Sequence, residues 1–484
     1  MRFKHLLLFF VLLVVTTSEA QTIHDEESFV AKTIDGIHFI EQHQKVIWPA
    51  FHMNLRPVII HFANQHFYAL HFKPVRPEWQ KKRINNEDVY FVDHDVDNLA
   101  DTAMVLQIAV EGQPSYLYRY MDYGSINEND NLHTLFHERF HAHQLLEQPF
   151  PIGFFIYQGF NQADNVVLAN LEAEILKDYV ANPNHELLKD YVAVNQIRFS
   201  LLDEDSKRYE EQKEYFEGLA EYVSWRTVFQ DGRNSTAIIN DYTQKCKIDK
   251  LVSCMIHNRY YFTGYVIGVA LDHESPGDWK SIFIQSNISP HMQLLQLFPM
   301  SKEELSQRLA SVKIRYRYEE MIKPIEDAVK TYQTELNDHQ KKFKEMPGIV
   351  LRIDPLPCSL QGYTKLAQSY YLNSDDQLEI GVSVTALCSD KSIMLTHVDL
   401  PYRFVSTRFN QECKVSNDAL LAIDEKKIML NEILHQSTSL PFSTLYLKDG
   451  TTELKIERSG KIVPHDGRLT VQVDNFSKKH LRSY

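Results

Sequence analysis

The stretch His137-Glu138-Arg139-Phe140-His141 constrains this chain more than any other. On a helix, residues four apart share a face. The run therefore predicts a helix from about Asn131, as its N-cap, to about Glu147, where Gln148-Pro149 stops it. On that helix His137 and His141 turn two imidazoles toward one metal ion. Glu138, next to the first imidazole, stands where it can take a proton from a metal-bound water.

Two imidazoles leave a catalytic zinc one protein ligand short. The segment Tyr215-Phe-Glu-Gly-Leu-Ala-Glu-Tyr-Val-Ser-Trp-Arg226 offers Glu217, with Glu221 one helical turn on. Gly218 and Ala220 between them are small enough to let a second helix come close. Glu172 or Glu174, in Asn170-Leu-Glu-Ala-Glu174, are the alternatives. His143, two residues past His141, points to a different helix face and is expected to sit behind the ligands or to be structural.

The chain has 484 residues, enough for two or three domains. Arg2 and Lys4, the apolar run Leu6 to Val15 and Ser18-Glu19-Ala20 read as a secretory signal over residues 1–20. The later sequence holds no apolar run of the ~20 residues a membrane helix needs. The expectation is a secreted or periplasmic protein with no stable membrane span after signal removal. Its net charge of −13 is spread along the chain, which argues against a nucleic-acid partner. There are five cysteines. Cys246 and Cys254 are close enough to staple one loop, and two of Cys358, Cys388 and Cys413 could pair. The odd one is left for an intermolecular disulfide.

Periodicity and turn residues predict an α+β protein. Residues 21–130 read as the mixed α/β N-terminal part of a catalytic domain. It has a helix over Asp25 to Val46 and strands at 57–61, 66–72 and 89–92. A hairpin joins Met104–Val110 to Tyr116–Met121 around Gly112-Gln-Pro114. Residues 131–345 read as a helical part that carries the metal site, with helices over Asn165–Val180, His185–Arg226 and Arg259–Asp272. Ser301-Lys-Glu-Glu304 opens another as a capping box, and Glu319–Lys344 forms a long amphipathic one. Residues 349–484 hold short strand-like segments, several alternating with a period of two, and read as a β-rich C-terminal domain, a sandwich in outline, with no catalytic motif.

The order H-E-x-x-H, then E-G-L-A-E-Y on a later helix, resembles the gluzincins, zinc peptidases whose third ligand is a glutamate. Arg259-Tyr-Tyr-Phe-Thr-Gly-Tyr-Val-Ile-Gly-Val-Ala-Leu-Asp272, followed by Gly277-Asp-Trp-Lys280, matches the Tyr-x-x-Gly helix that exported gluzincin-like proteins often carry next. The resemblance implies a zincin-like domain holding one zinc ion through His137, His141 and Glu217, with Glu138 as general base. It implies Tyr261 as donor to the oxyanion, with Tyr260 and His257 as alternatives, and Glu221 as a group orienting a ligand histidine. Peptides or proteins are the implied substrates. The interval from His141 to Glu217 is longer than the thermolysin-like spacing, and Arg139 and His143 depart from the family pattern. The same residues fit two other functions: a gluzincin-fold protein of the envelope or extracellular space that binds without cleaving, and a metal-dependent hydrolase of other substrates.

Overall fold

The computed structural model describes residues 25–96, 105–121, 127–147, 153, 155–229, 235–275, 279–353 and, with short gaps, 366–473. The residues read as a signal lie outside that set. The architecture is mixed α+β. Chain contacts divide it into two units: 1–151, 215–235 and 264–293 form the first, and 152–214, 236–263 and 294–484 form the second. The helical stretch 131–345, expected as one part, is thus shared between them.

The first unit is built on a six-stranded sheet. Its strands are β1 (Val58–His61), β2 (Phe67–Leu70), β3 (Gln80–Ile84), β4 (Glu87–Val92), β5 (Val105–Val110) and β6 (Gln113–Arg119), in the order β3-β4-β2-β1-β6-β5. β1 runs parallel to β6 and antiparallel to β2, so it is central and buried at every residue. Burial on both faces explains why it opens on the apolar run Val58-Ile59-Ile60 rather than alternating. Ile59, Ala69 and Leu117 pack on one face with Trp79 and Val92. The opposite face, with Tyr68 and Tyr118, takes helix α1 (residues 25–42), where Phe29 lies against Phe62, Tyr118 and Tyr120. The β5–β6 hairpin is present and turns at Glu111 and Gly112, both with positive φ. β3 has no counterpart in the sequence reading. Gln80-Lys-Lys-Arg-Ile84 lacks apolar alternation, and its pairing with β4 is set by Asn85 and Asn86, both left-handed, in a two-residue turn.

A short helix α2 (Gln44–Ile47) precedes the sheet, and helix α3 (Glu128–Ala142) follows it. α3 starts three residues before Asn131. Asn127 is the cap and shares reciprocal bonds with Asp130. Asn131 is instead fully buried and ties the helix to the end of β6. Its Oδ1 accepts from the Tyr118 hydroxyl at 2.9 Å and from the Met121 amide at 2.8 Å. α3 gives way at His143 to a π-helical turn, His143–Glu147. Helix α7 (Leu219–Val228), the end of α10 (Arg259–Glu274) and α11 (Trp279–Ser286) complete this unit. Gly268 of α10 lets the Tyr222 ring of α7 come close: a Cβ there would lie 2.8 Å from Tyr222 Cδ2.

In the second unit, α4 (Ala163–Ala181) and α5 (His185–Phe199) form a helical hairpin. The continuous helix expected to Arg226 breaks at residues 200–203, because Asp203 caps a new helix, α6 (Glu204–Lys213), by accepting from the Ser206 amide. α8 (Ser235–Lys245) and the one-turn α9 (Leu251–Ser253) flank a disulfide between Cys246 and Cys254. α12 (Pro290–Leu297) leads to α13 (Lys302–Arg315), capped by Ser301, and to α14 (Tyr318–Glu345). The C-terminal strands form sheets of six and eight. Residues of both sheets, among them Leu351, Leu421, Leu447, Leu454, Leu469 and Val471, join one buried cluster, as the layers of a sandwich do. Cys413 lies on one of these strands, whereas Cys358 and Cys388 fall outside the described residues.

Candidate metal centre

Two stripes of side chains, each repeating every four residues, face one another in the first unit. α3 contributes His133, His137 and His141. The opposite stripe is Trp225 and Glu221 of α7 and Glu217 of the π-helical turn Glu214–Gly218 that precedes it. They meet in antiparallel order. His141 Nε2 lies 3.2 Å from Glu217 Oε2, and His137 Nε2 is 3.7 Å from the same oxygen. His137 Nδ1 and His133 Nε2 each lie 3.2 Å from Glu221 Oε2. The rings of His133 and Trp225 close the far end, 4.8 Å between centroids.

Hydrogen bonding assigns the ring proton of His141. Gln144 Nε2 donates to the carbonyl oxygens of Tyr215 and Phe216, at 3.1 and 3.0 Å, so its Oε1 must be the atom 2.7 Å from His141 Nδ1. His141 then carries its proton on Nδ1 and presents a lone pair on Nε2. His137 has Glu221 Oε2 3.2 Å from Nδ1 and Glu217 Oε2 3.7 Å from Nε2. The Nε2 atoms of His137 and His141 and the Glu217 carboxylate converge; without a metal a protonated His137 supplies the positive charge there, and a bound ion would take the place of its Nε2 proton. Two ligands held at ~2.1 Å on a tetrahedral ion are about 3.4 Å apart, and the observed 3.2 and 3.7 Å fall on either side of that. The donor set of two imidazoles and a carboxylate fits a divalent transition metal.

Electrostatics point the same way. Burial works against charge on His137, but Glu217 and Glu221 at its two nitrogens outweigh it, with Glu138 adding, and its pKa rises to about 10. Burial also works against charge on Glu221, yet His133 and His137 hold its carboxyl well below the ordinary carboxylate range. The cluster calls for positive charge. It is not sealed: His141 and Glu217 each keep 13% of the side chain exposed.

His137, His141 and Glu217 thus come together, each offering a ligand atom within 4.8 Å of the others. Glu138 follows His137 and is partly buried. Arg139 turns away from the cluster. Its Nη2 donates to the His52 carbonyl and to Glu147, both at 2.8 Å, and its guanidinium stacks 4.1 Å from the Tyr116 ring centroid. A charged residue inside the motif is accommodated because it belongs to another face of α3. His143 faces Glu147 at 2.9 Å and the Phe51 and Phe140 rings, a structural role.

The alternative third ligands are engaged elsewhere, in the second unit. Glu172 is fully buried and accepts from Arg198 Nε at 2.6 Å, Asn195 at 3.1 Å and Arg259 at 3.2 Å. Glu174 pairs with Lys177 at 2.6 Å. Tyr261 also belongs to the second unit, where Lys245 Nζ lies 5.8 Å from its ring centroid, and the Tyr260 hydroxyl donates to the Met255 carbonyl. One turn on, Tyr265 belongs to the first unit. Burial raises its pKa to about 12, with Arg226 opposing and Glu221 and Asp272 adding.

Sequence reasoning passed over His133, Gln144 and Trp225. The signal for His133 and Trp225 was present: H-x-x-x-H-E-x-x-H and E-x-x-x-E-x-x-x-W each continue a four-residue period. Gln144 had none, because its position depends on the π-helical turn. No family model, curated protein or solved structure matches the chain.

Proposed function

We propose that the chain is an exported zinc-dependent metallopeptidase of gluzincin type, with His137, His141 and Glu217 as metal ligands and Glu138 as general base. The observation that carries the reading is the convergence of the Nε2 atoms of His137 and His141 on one oxygen of the Glu217 carboxylate, at 3.7 and 3.2 Å. Bound zinc lowers the pKa of a water and polarises a carbonyl. The chain's own residues do the rest. Gln144 holds the His141 ring with Nε2 toward Glu217, and Glu221 stands at Nδ1 of His137, where it would orient that ring. Glu138 accepts the proton of the attacking water and returns it to the leaving amine. The partial exposure of His141 and Glu217 leaves an approach for an extended peptide.

The test uses the purified chain. It should carry about one zinc per molecule and cleave casein or a peptide library. Glu138→Gln should abolish cleavage and keep the zinc. Cleavage that survives in Glu138→Gln refutes the mechanism, and a folded chain that takes up no zinc refutes the site.

A further inference from the structure

The two stripes continue past the proposed zinc ligands, and the extra rung has its own logic. Glu221 is almost completely buried and its carboxylate faces three nitrogens. Trp225 Nε1 donates to Oε1 at 2.7 Å, while His133 Nε2 and His137 Nδ1 lie 3.2 Å from Oε2. His133 stacks against the Trp225 ring, so each limits the other's rotation. We infer that His133 and Trp225 are positioning residues of the metal centre: they hold the Glu221 carboxylate in place, and Glu221 in turn holds the His137 ring. The inference rests on the zinc reading of His137, His141 and Glu217.

The same three side chains, His133, His137 and Glu221, also offer ligand atoms close enough for a cation. His137 decides between the two roles. As a ligand through Nε2, it could serve a second ion only by giving up its Nδ1 proton and bridging both. Glu221 would also have to satisfy that ion with the oxygen that now faces two rings. As a hydrogen-bonded anchor, Glu221 needs no such change, and a carboxylate behind a ligand histidine fixes its tautomer and raises its basicity.

The two roles separate by measurement. Zinc affinity of the full chain is titrated against a chelator for wild type, His133→Phe, His133→Gln and Trp225→Phe. Phe keeps a ring on Trp225 but cannot donate; Gln places an N–H where Nε2 was. The expected result is one zinc per wild-type chain and an affinity loss of about 10–100-fold in His133→Phe. Gln should restore most of it, and Trp225→Phe should weaken binding in the same direction, each variant being titrated after its metal-free fold is confirmed by circular dichroism. If His133→Phe fails to fold, Trp225→Phe carries the comparison alone. One zinc bound equally tightly by wild type, His133→Phe and Trp225→Phe overturns the inference and leaves the zinc reading standing. Two ions in wild type, the second lost in His133→Phe, overturns it in favour of a second cation site. A wild-type chain that binds none removes the zinc reading and this inference with it.

Discussion

Replacing Glu172 by alanine separates the carboxylate that holds the second unit together from the one proposed to hold zinc. Glu172, Glu210, Arg198 and Arg259 form a buried quartet with no net charge. Arg198 Nε donates to Glu172 at 2.6 Å, its Nη1 and Nη2 donate to Glu210 at 2.9 and 2.6 Å, and Arg259 reaches Glu172 at 3.2 Å. Both partners of the Arg198–Glu172 pair have no exposed side-chain surface. Removing one carboxylate leaves an uncompensated guanidinium in a dry interior, which costs about 3–5 kcal/mol. Urea unfolding of Glu172→Ala should show that loss, while zinc bound per folded chain stays at the wild-type level. Glu217→Ala should do the reverse. It removes a carboxylate from a partly exposed cluster and one of the two partners of His137, so metal-free stability should fall by less than in Glu172→Ala while zinc is lost. A Glu172→Ala chain that keeps its stability and loses its zinc would refute the assignment of roles.

Two further expectations concern the same frame. Burial opposes the charge on Glu210, but Arg198 and Arg259 bring its pKa down to about 2. The folded state therefore binds the proton more weakly than the unfolded chain, whose pKa is about 4.3. This contribution to stability is complete above the unfolded value and is lost as pH falls through 4 toward 2. Glu210→Gln should flatten that part of the acid-unfolding curve, and an unchanged curve would count against the quartet. Gly268→Ala should destabilise, although alanine is the better helix former by ~1 kcal/mol. Its Cβ would meet the Tyr222 ring, which is fully buried and bonded to Asp272, so overpacking of about 1–3 kcal/mol decides the sign. A raised thermal midpoint would contradict this.

The features legible in the sequence are the local ones. The helix of His137 and His141, the hairpin of β5 and β6, the Ser301 cap and the Cys246–Cys254 loop each depend on residues within a few positions of one another. The structure has all of them. The start of α3 is ambiguous in sequence because Asn127 and Asn131 are both good caps by type. Burial against Tyr118 and Met121 decides which one is used, and that contact is not local. The polar strand β3 and the break at Asp203 are hidden for the same reason. Of the candidate ligands, Glu172 and Glu217 look alike in sequence, each in an apolar helix with another glutamate nearby. Arg198, 26 residues from Glu172, separates them.

The long interval between His141 and Glu217 is the strongest objection to joining them, and the pairing of helices answers it. What places a carboxylate beside two histidines is the phase of two facing stripes, not the length of chain between them. His133, His137 and His141 repeat every four residues, as do Glu217, Glu221 and Trp225, and antiparallel packing brings each to its partner whatever the connection does. Both stripes end at π-helical turns, His143–Glu147 after α3 and Glu214–Gly218 before α7. Each such turn winds wider than an α-turn and shifts the phase of the residues beyond it, and such turns are frequent at functional sites. Here one holds Gln144 and the other the Tyr215 and Phe216 carbonyls that receive it, so a single side chain couples the phase of both stripes at the ligand end. The insertion of chain between His141 and Glu217 can then vary without moving the ligands, provided that this coupling persists.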